Sequence, residues 1–125
     1  MAVILVADDD RDTRELVRLV LAHAGHAVVE AKTGAEALES AAALSPDLIL
    51  LDLSMPGMSG ADFLRALRAD PHTKTTRVAL YTASPMSPAV RDFMEIYAVG
   101  NVVPKPCEPL ELIAAVEEAL KRPSN

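Results

Sequence analysis

The sequence predicts an α/β domain in which a parallel sheet is covered by helices on both faces, a doubly wound three-layer sandwich. Three observations lead to this. Short aliphatic runs bounded by turn residues alternate with longer stretches of helical spacing. The runs are almost continuously apolar, as strands buried on both faces require. The length, 125 residues, suits one compact domain. Half of the residues are apolar but only 3% are aromatic, so the core has to be aliphatic.

Taken in order, the first strand is Val3 to Ala7, which breaks into Asp8-Asp9-Asp10. A helical stretch follows with Leu16, Leu19, Val20 and His23 on its apolar side, and Gly25 suits a left-handed cap behind it. Ala27 to Glu30 is the second strand. Thr33-Gly34-Ala35-Glu36 has the spacing of a capping box and opens a helix with Leu38, Ala41 and Leu44. Leu48 to Leu51 is the third strand and runs into Asp52. Ser59-Gly60-Ala61-Asp62, a shorter-armed box, starts a helix carrying Phe63, Leu64 and Leu67. Val78 to Thr82 is the fourth strand. Ser87-Pro88 then sets a cap before a proline, and Val90, Phe93, Met94 and Tyr97 recur at i, i+3, i+4 and i+7. Val102 to Pro104 is the fifth strand, and Glu108-Pro109 opens a last helix with Leu112, Ile113, Val116 and Leu120. One domain over residues 1–125, with its core at about 2–121 and no output domain, is the expected organisation. Only Arg122 to Asn125 reads as frayed.

Twelve basic against 18 acidic side chains leave a net charge of −6, which disfavours binding to a nucleic-acid backbone. The single cysteine, Cys107, can form neither an internal disulfide nor a cysteine metal cluster, which fits a reducing compartment. The start of the chain lacks the basic flank and long apolar core of a signal peptide, and no stretch reaches the ~18 apolar residues of a membrane span. A soluble cytoplasmic protein without membrane contact is expected. No Gly-rich dinucleotide or P-loop pattern occurs.

In a sheet of this kind the loops at the carboxyl ends of the strands converge on a crevice. Asp8 and Asp9 stand at the end of the first strand, Asp52 after the third, Thr82 at the end of the fourth, and Lys105 after the fifth. Three carboxylates brought together repel one another and push pKa values up. A hard divalent cation relieves that repulsion, and oxygen-only donors favour Mg²⁺ or Mn²⁺ over zinc. Alone, each residue has a plainer reading: Asp10 and Asp12 as helix-start carboxylates, Thr82 as a strand-end residue, Lys105 as a surface lysine. His23, His26 and His72 lack ligand spacing and read as surface residues, and Met55 and Met58 read as packing around the loop after Asp52.

The order and separation of four pieces carry a family resemblance: Leu5-Val6-Ala7-Asp8-Asp9-Asp10, the run from Asp47 through Asp52-Leu53-Ser54-Met55-Pro56-Gly57 to Gly60, Leu80-Tyr81-Thr82-Ala83, and Lys105-Pro106. Together, from Ile4 to Leu120, the chain resembles a receiver domain of two-component response regulators. The resemblance implies a flavodoxin-like fold with strand order 2-1-3-4-5 and Asp52 as phosphoacceptor from the phosphohistidine of a histidine kinase or histidine phosphotransfer protein. It also implies Mg²⁺ held directly by Asp9, Asp52 and the backbone carbonyl of Ser54, with Asp8 acting partly through water. Thr82 and Lys105 would contact the phosphoryl oxygens, Lys105-Pro106 would be cis, and the signal would leave through protein contacts with a downstream target.

The sequence departs from the family pattern in places. Three residues before the motif lysine the family carries an aromatic that turns inward with the motif threonine, and here that residue is Val102. Tyr97 is the candidate substitute, although its spacing equally suits core packing. Ser54 and Ser84 occupy positions that influence how long the phosphoryl group survives. Pro104 removes a backbone donor from the last strand, as an edge strand tolerates. Two other functions compete: a haloacid-dehalogenase-type phosphatase, which wants an aspartate where Ser54 stands and a cap domain for which the length leaves no room, and a pseudo-receiver that binds partners without phosphorylation.

Overall fold

A computed structural model describes residues 2–122; of the stretch expected to fray, Arg122 donates its N–H to the Ala119 carbonyl and its own carbonyl accepts from Arg77 Nε, and residues 123–125 lie outside the described residues. Five parallel strands, β1 (Val3–Ala7), β2 (Ala27–Ala31), β3 (Leu48–Leu51), β4 (Val78–Thr82) and β5 (Asn101–Pro104), form one sheet in the order β2-β1-β3-β4-β5. Helices α1 (Arg11–His23), α2 (Gly34–Leu44), α3 (Gly60–Ala69), α4 (Pro88–Tyr97) and α5 (Pro109–Lys121) connect and follow them. This is the doubly wound architecture and the strand order expected. Boundaries differ from the sequence reading by one residue, at the end of β2 and the start of β5.

Period-two alternation divides the strands between two cores. Ile4, Val6, Leu48, Leu50, Ala79, Tyr81 and Val103 pack against α1 and α5 through Val17, Leu21, Leu112, Val116 and Ala119. Leu5, Ala7, Ile49, Leu51, Val78 and Leu80 pack against α2, α3 and α4 through Ala37, Ala41, Phe63, Leu64, Leu67 and Val90. The central strands β1, β3 and β4 are buried almost throughout, whereas β2 and β5 at the edges are partly open. Pro104 therefore lies on an edge strand, where a missing donor interrupts no inner ladder.

Two of the apolar faces read from spacing need correction. In α1 the fully buried residues are Val17 and Leu21, while Leu16 and Leu19 are each 55% exposed. The helix carries two interleaved apolar sets, both at helical spacing, and only contact with the sheet decides which one faces it. Leu19, Val20 and His23 instead line a shallow groove with Pro109, Leu110 and Ile113 of α5. In α2 the small residues Ala37 and Ala41 touch the sheet and Leu44 is exposed. The faces of α3 and α4 are as expected. His26 also departs from its surface reading. Its imidazole is only 8% exposed, Nδ1 accepts the Ala2 N–H at 3.2 Å, and Nε2 faces Glu117 at 3.6 Å.

The helix starts follow the capping signals. The hydroxyls of Thr33, Ser59 and Ser87 accept from the N–H groups of Glu36, Asp62 and Val90. The Glu36 carboxylate accepts from Lys32 N–H, one residue before the Thr33 N–H that a full capping box would use, and Glu111 closes the start of α5 by accepting from Glu108 N–H at 3.1 Å. Gly25 adopts a φ of 92°, as a left-handed cap requires. Gly34 serves a different end. A Cβ there would lie 2.9 Å from both Cβ and Sδ of Met58, so its absence lets α2 close on the loop that follows Asp52. Gly34→Ala is expected to destabilise the fold by about 1–3 kcal/mol through overpacking, seen as a lower urea midpoint; an unchanged midpoint would mean that the Met58 loop is not packed tightly on α2.

Candidate functional site at the carboxyl edge of the sheet

The ladder hydrogen bonds run one residue past three strands. Asp8 N–H donates to the Ala31 carbonyl, Asp52 N–H to Ala7 and Lys105 N–H to Thr82. Alternation therefore persists into the site. Asp8 continues the row of Ile4 and Val6, Asp52 that of Leu48 and Leu50, and Lys105 follows Val103, so all three are in step with the α1/α5 layer. Thr82 follows Val78 and Leu80, in step with the α4 side. The sheet order makes neighbours of residues that the chain separates by up to 97 positions.

Asp8 and Asp52 are buried and Asp9 is exposed, and one carboxylate oxygen from each lies within 4.8 Å of the others. Lys105 Nζ donates to Asp8 Oδ2 at 2.6 Å and stands 3.6 Å from Asp52 Oδ2. The ammonium also lies 5.1 Å from the centroid of the Tyr81 ring, which forms one wall beneath it. Asp8 Oδ1 accepts from Asp10 N–H and Asp52 Oδ1 from Ser54 N–H, so one oxygen of each carboxylate is tied to its own loop.

Burial pushes the Asp52 carboxyl above the ordinary value of 3.8; the bond from Ser54 N–H and the charge of Lys105 oppose that rise, and the charges of Asp8 and Asp9 add to it. For Lys105, burial pulls the pKa down, but the hydrogen bond and charge of Asp8, with Asp52 and Tyr81 adding to them, outweigh it and hold the ammonium above its ordinary 10.5. Burial and the neighbouring Glu111 and Glu108 push the Cys107 thiol up, which makes it a poor nucleophile. The donor set, three carboxylates with no sulfur or imidazole among them, fits a hard divalent cation.

The remaining candidates sit around this cluster. Thr82 Oγ1 accepts from Ser84 N–H at 3.1 Å, and Ser54 and Ser84 are exposed at the rim. Val102 pairs with Leu80 in register and packs in the α4-side core, not on the cluster. Tyr97 lies in the same layer, its ring 5.0 Å from that of Phe93 and tilted by 56°. It is fastened to α3: Arg65 donates to its hydroxyl at 3.5 Å and Arg68 Nε to its carbonyl at 3.3 Å. Asp10 takes the Thr13 hydroxyl and makes no side-chain cap on a backbone N–H. Sequence reading did not single out Arg14, whose guanidinium bonds the Asp8 carbonyl, or Tyr81 under Lys105. The available signals were an arginine in the first turn after the acid pair and the one ring in the fourth strand.

A 2-1-3-4-5 sheet with carboxylates, a hydroxyl and a lysine gathered at its carboxyl edge defines a class of signalling α/β domain. A family model described as the response regulator receiver domain matches residues 4–117, and the chain belongs to that family. It is 39% identical over 119 residues to the DNA-binding response regulator MtrA of Mycolicibacterium smegmatis, covering 95% of this chain and 50% of that protein. The phosphate regulon transcriptional regulatory protein PhoB of Pseudomonas aeruginosa is 33% identical, with 95% and 52% covered. The chain thus spans about half the length of the curated relatives it matches. Chemotaxis protein CheY4 of Vibrio cholerae superposes with a TM-score of 0.89 at 30% identity, covering 95% of this chain and 98% of that one. A putative response regulator from Chloroflexus aurantiacus gives 0.87 at 31% identity, with 97% and 98% covered. Receiver domains bind Mg²⁺ at an acidic pocket, and the Asp8, Asp9, Asp52 cluster fits that chemistry.

The raised carboxyl of Asp52 has a consequence for stability. Its folded pKa lies above the unfolded 3.8, so the folded chain holds a proton that the unfolded chain releases, and stability falls as pH rises from 3.8 through the folded value. Asp52→Asn removes the buried charge at nearly constant size. In the absence of divalent cations the variant is expected to melt at a higher temperature than the wild type at neutral pH, with the difference shrinking as pH falls through the folded value toward 3.8. Equal melting curves at neutral pH would count against a destabilising buried charge.

Proposed function

We propose that Asp52 is the phosphoacceptor of this receiver domain. The reading is carried by one observation above the others: a buried carboxylate with two more carboxylate oxygens within 4.8 Å and an ammonium at 3.6 Å. A carboxylate oxygen of Asp52 attacks phosphorus, forming an O–P bond as the bond from phosphorus to the donor's imidazole nitrogen breaks. Asp9, Asp52 and the Ser54 carbonyl would hold Mg²⁺ (or Mn²⁺), with Asp8 contributing partly through water. When bound, the cation neutralises the crowded carboxylates and the phosphoryl oxygens. At rest three carboxylates, a dication and Lys105 sum to zero. Phosphorylation replaces one carboxylate charge by about −2, which leaves the site near −1 and calls for Lys105 and the Thr82 hydroxyl as partners.

Drawing Thr82 toward phosphorus releases Ser84 N–H and so loosens the loop into α4. Val102, aliphatic and in step with Thr82, leaves room in that layer without supplying a ring. Tyr97 is the aromatic through which α4 answers, because its hydroxyl and carbonyl are held by α3. Ser54 and Ser84 at the rim leave the phosphoryl group open to water.

The donor is a histidine kinase or a histidine phosphotransfer protein. The receiver catalyses only its own phosphorylation and dephosphorylation, acts in the cytoplasm, and passes its signal to a downstream protein by surface contact. Residues 2–121 serve as one receiver domain. Among the described residues no helix is long and apolar enough to cross a membrane. The family match does not favour the phosphatase or the pseudo-receiver reading. At the residue level, Ser54 places a backbone N–H on Asp52 where a phosphatase needs a second acid.

Incubation with Mg²⁺ and acetyl phosphate is expected to add one phosphoryl group per chain by intact mass, lost in Asp52→Asn and under chelation. An adduct that survives Asp52→Asn, or turnover of many equivalents of a phosphate ester, would overturn the assignment. Lys105→Met is expected to lower the phosphorylation rate at least tenfold while Mg²⁺ binding persists, as loss of one positioned charge should; calorimetric titration and the acetyl phosphate rate check the two halves separately.

A further inference from the structure

Asp9 is exposed, yet its carboxylate is held within reach of two others that repel it. Packing does not hold an exposed side chain there, so the backbone must. The Asp8 residue is gripped on both sides: its N–H donates to the Ala31 carbonyl at 3.1 Å, and its carbonyl accepts from Arg14 Nη1 at 2.8 Å. That carbonyl and the N–H of Asp9 belong to one rigid peptide plane, so fixing the carbonyl direction fixes the direction in which Asp9 leaves the strand.

Arg14 is itself oriented. Its side chain is 12% exposed and its Nε donates to Glu30 Oε1 at 3.2 Å, while the other oxygen of Glu30 takes Arg18 Nε at 3.1 Å. Glu30 neighbours Ala31, the residue that holds Asp8 N–H, so β2 supplies both anchors. One planar guanidinium reaches a carboxylate and a carbonyl at once, which a lysine ammonium on a flexible stem does not reproduce.

We propose that Arg14 is a positioning residue for the divalent-cation site: with Glu30 as its anchor, it fixes the Asp8–Asp9 peptide and thereby aims the Asp9 carboxylate at the ion. The inference rests on the reading of Asp9 and Asp52 as ligands.

The sign of the effect separates positioning from plain electrostatics. Removing a cation beside the site should by Coulomb attraction alone tighten binding of Mg²⁺. Loss of positioning should weaken it, by about tenfold, as is typical when a group orienting a ligand is removed. Calorimetric titration of MgCl₂ into the unphosphorylated chain reads this directly. Arg14→Met is expected to weaken Mg²⁺ about tenfold and to raise the Mg²⁺ concentration for half-maximal phosphorylation by the same factor. The rate at saturating Mg²⁺ should change much less. Arg14→Lys keeps the charge and loses the fork, so electrostatics predicts no change and positioning predicts weaker binding; it also serves if Arg14→Met does not fold. Arg68→Met, which removes another arginine bonded to carbonyls, this one half-buried and remote from the acids, should lower Tm without moving Mg²⁺ affinity. Binding by Arg14→Met or Arg14→Lys as tight as the wild type, or tighter, overturns the inference. If Asp9→Asn also binds as tightly as the wild type, the ligand assignment has failed and the inference falls with it; if Asp9→Asn alone weakens binding, only the inference has failed.

Discussion

The contact on which the rest of the site depends is the ion pair between Lys105 and Asp8, 2.6 Å long and closed across 97 residues of chain. Asp8 and Asp52 are nearly without solvent, and water screens little of the repulsion between them. An ammonium fixed at one and close to the other offsets part of that repulsion, and a bound dication offsets the rest. Breaking the pair would leave a buried carboxylate uncompensated, which is far more destabilising than never having built it. The pair also joins the end of a central strand to that of the edge strand β5, so the electrostatics of the site and the closure of the sheet are one constraint.

What holds such a repulsive cluster in place is the apolar platform beneath it. Ile4, Val6, Leu48, Leu50 and Tyr81 are essentially buried, and each fully buried aliphatic contributes about 1.5–3 kcal/mol. The acids need no mutual attraction to stay together, because the ladder bonds past β1 and β3 deliver them. The site can therefore sit uncomfortably while the fold remains stable. That discomfort gives a cation or a phosphoryl group something to relieve, which is how a small chemical change acquires leverage over loop geometry.

The same alternation separates chemistry from response. Asp8, Asp52 and Lys105 follow rows that face α1 and α5, whereas Thr82 follows the row that faces α4. A hydroxyl drawn toward the cluster is thus pulled away from the α4 layer, where Val102, Phe93 and Tyr97 lie. No aromatic stands on β5 in that layer; Phe93 and Tyr97 belong to α4 itself, and Arg65 and Arg68 tie Tyr97 to α3.

Much was legible in the chain because it is written locally. Aliphatic runs marked all five strands to within a residue, and Thr33, Ser59, Ser87 and Gly25 marked helix ends through bonds that span only a few positions. Asp8, Asp9, Asp52, Thr82 and Lys105 were legible as strand-end residues, and the family resemblance joined them. Three things were not written locally. Spacing alone did not say that Val17 and Leu21 face the sheet and Leu16 and Leu19 do not, since both sets recur at helical intervals. Nothing near His26 in the sequence indicates that Ala2 and Glu117 enclose it. Arg14 became a functional candidate only when β2 brought Glu30 and Ala31 beside it. Periodicity and capping are properties of neighbours along the chain, so sequence determined the elements and the acids at their ends. Orientation, burial and the partner of each charge depend on contacts between distant segments, and those were decided by the order in which the strands pair.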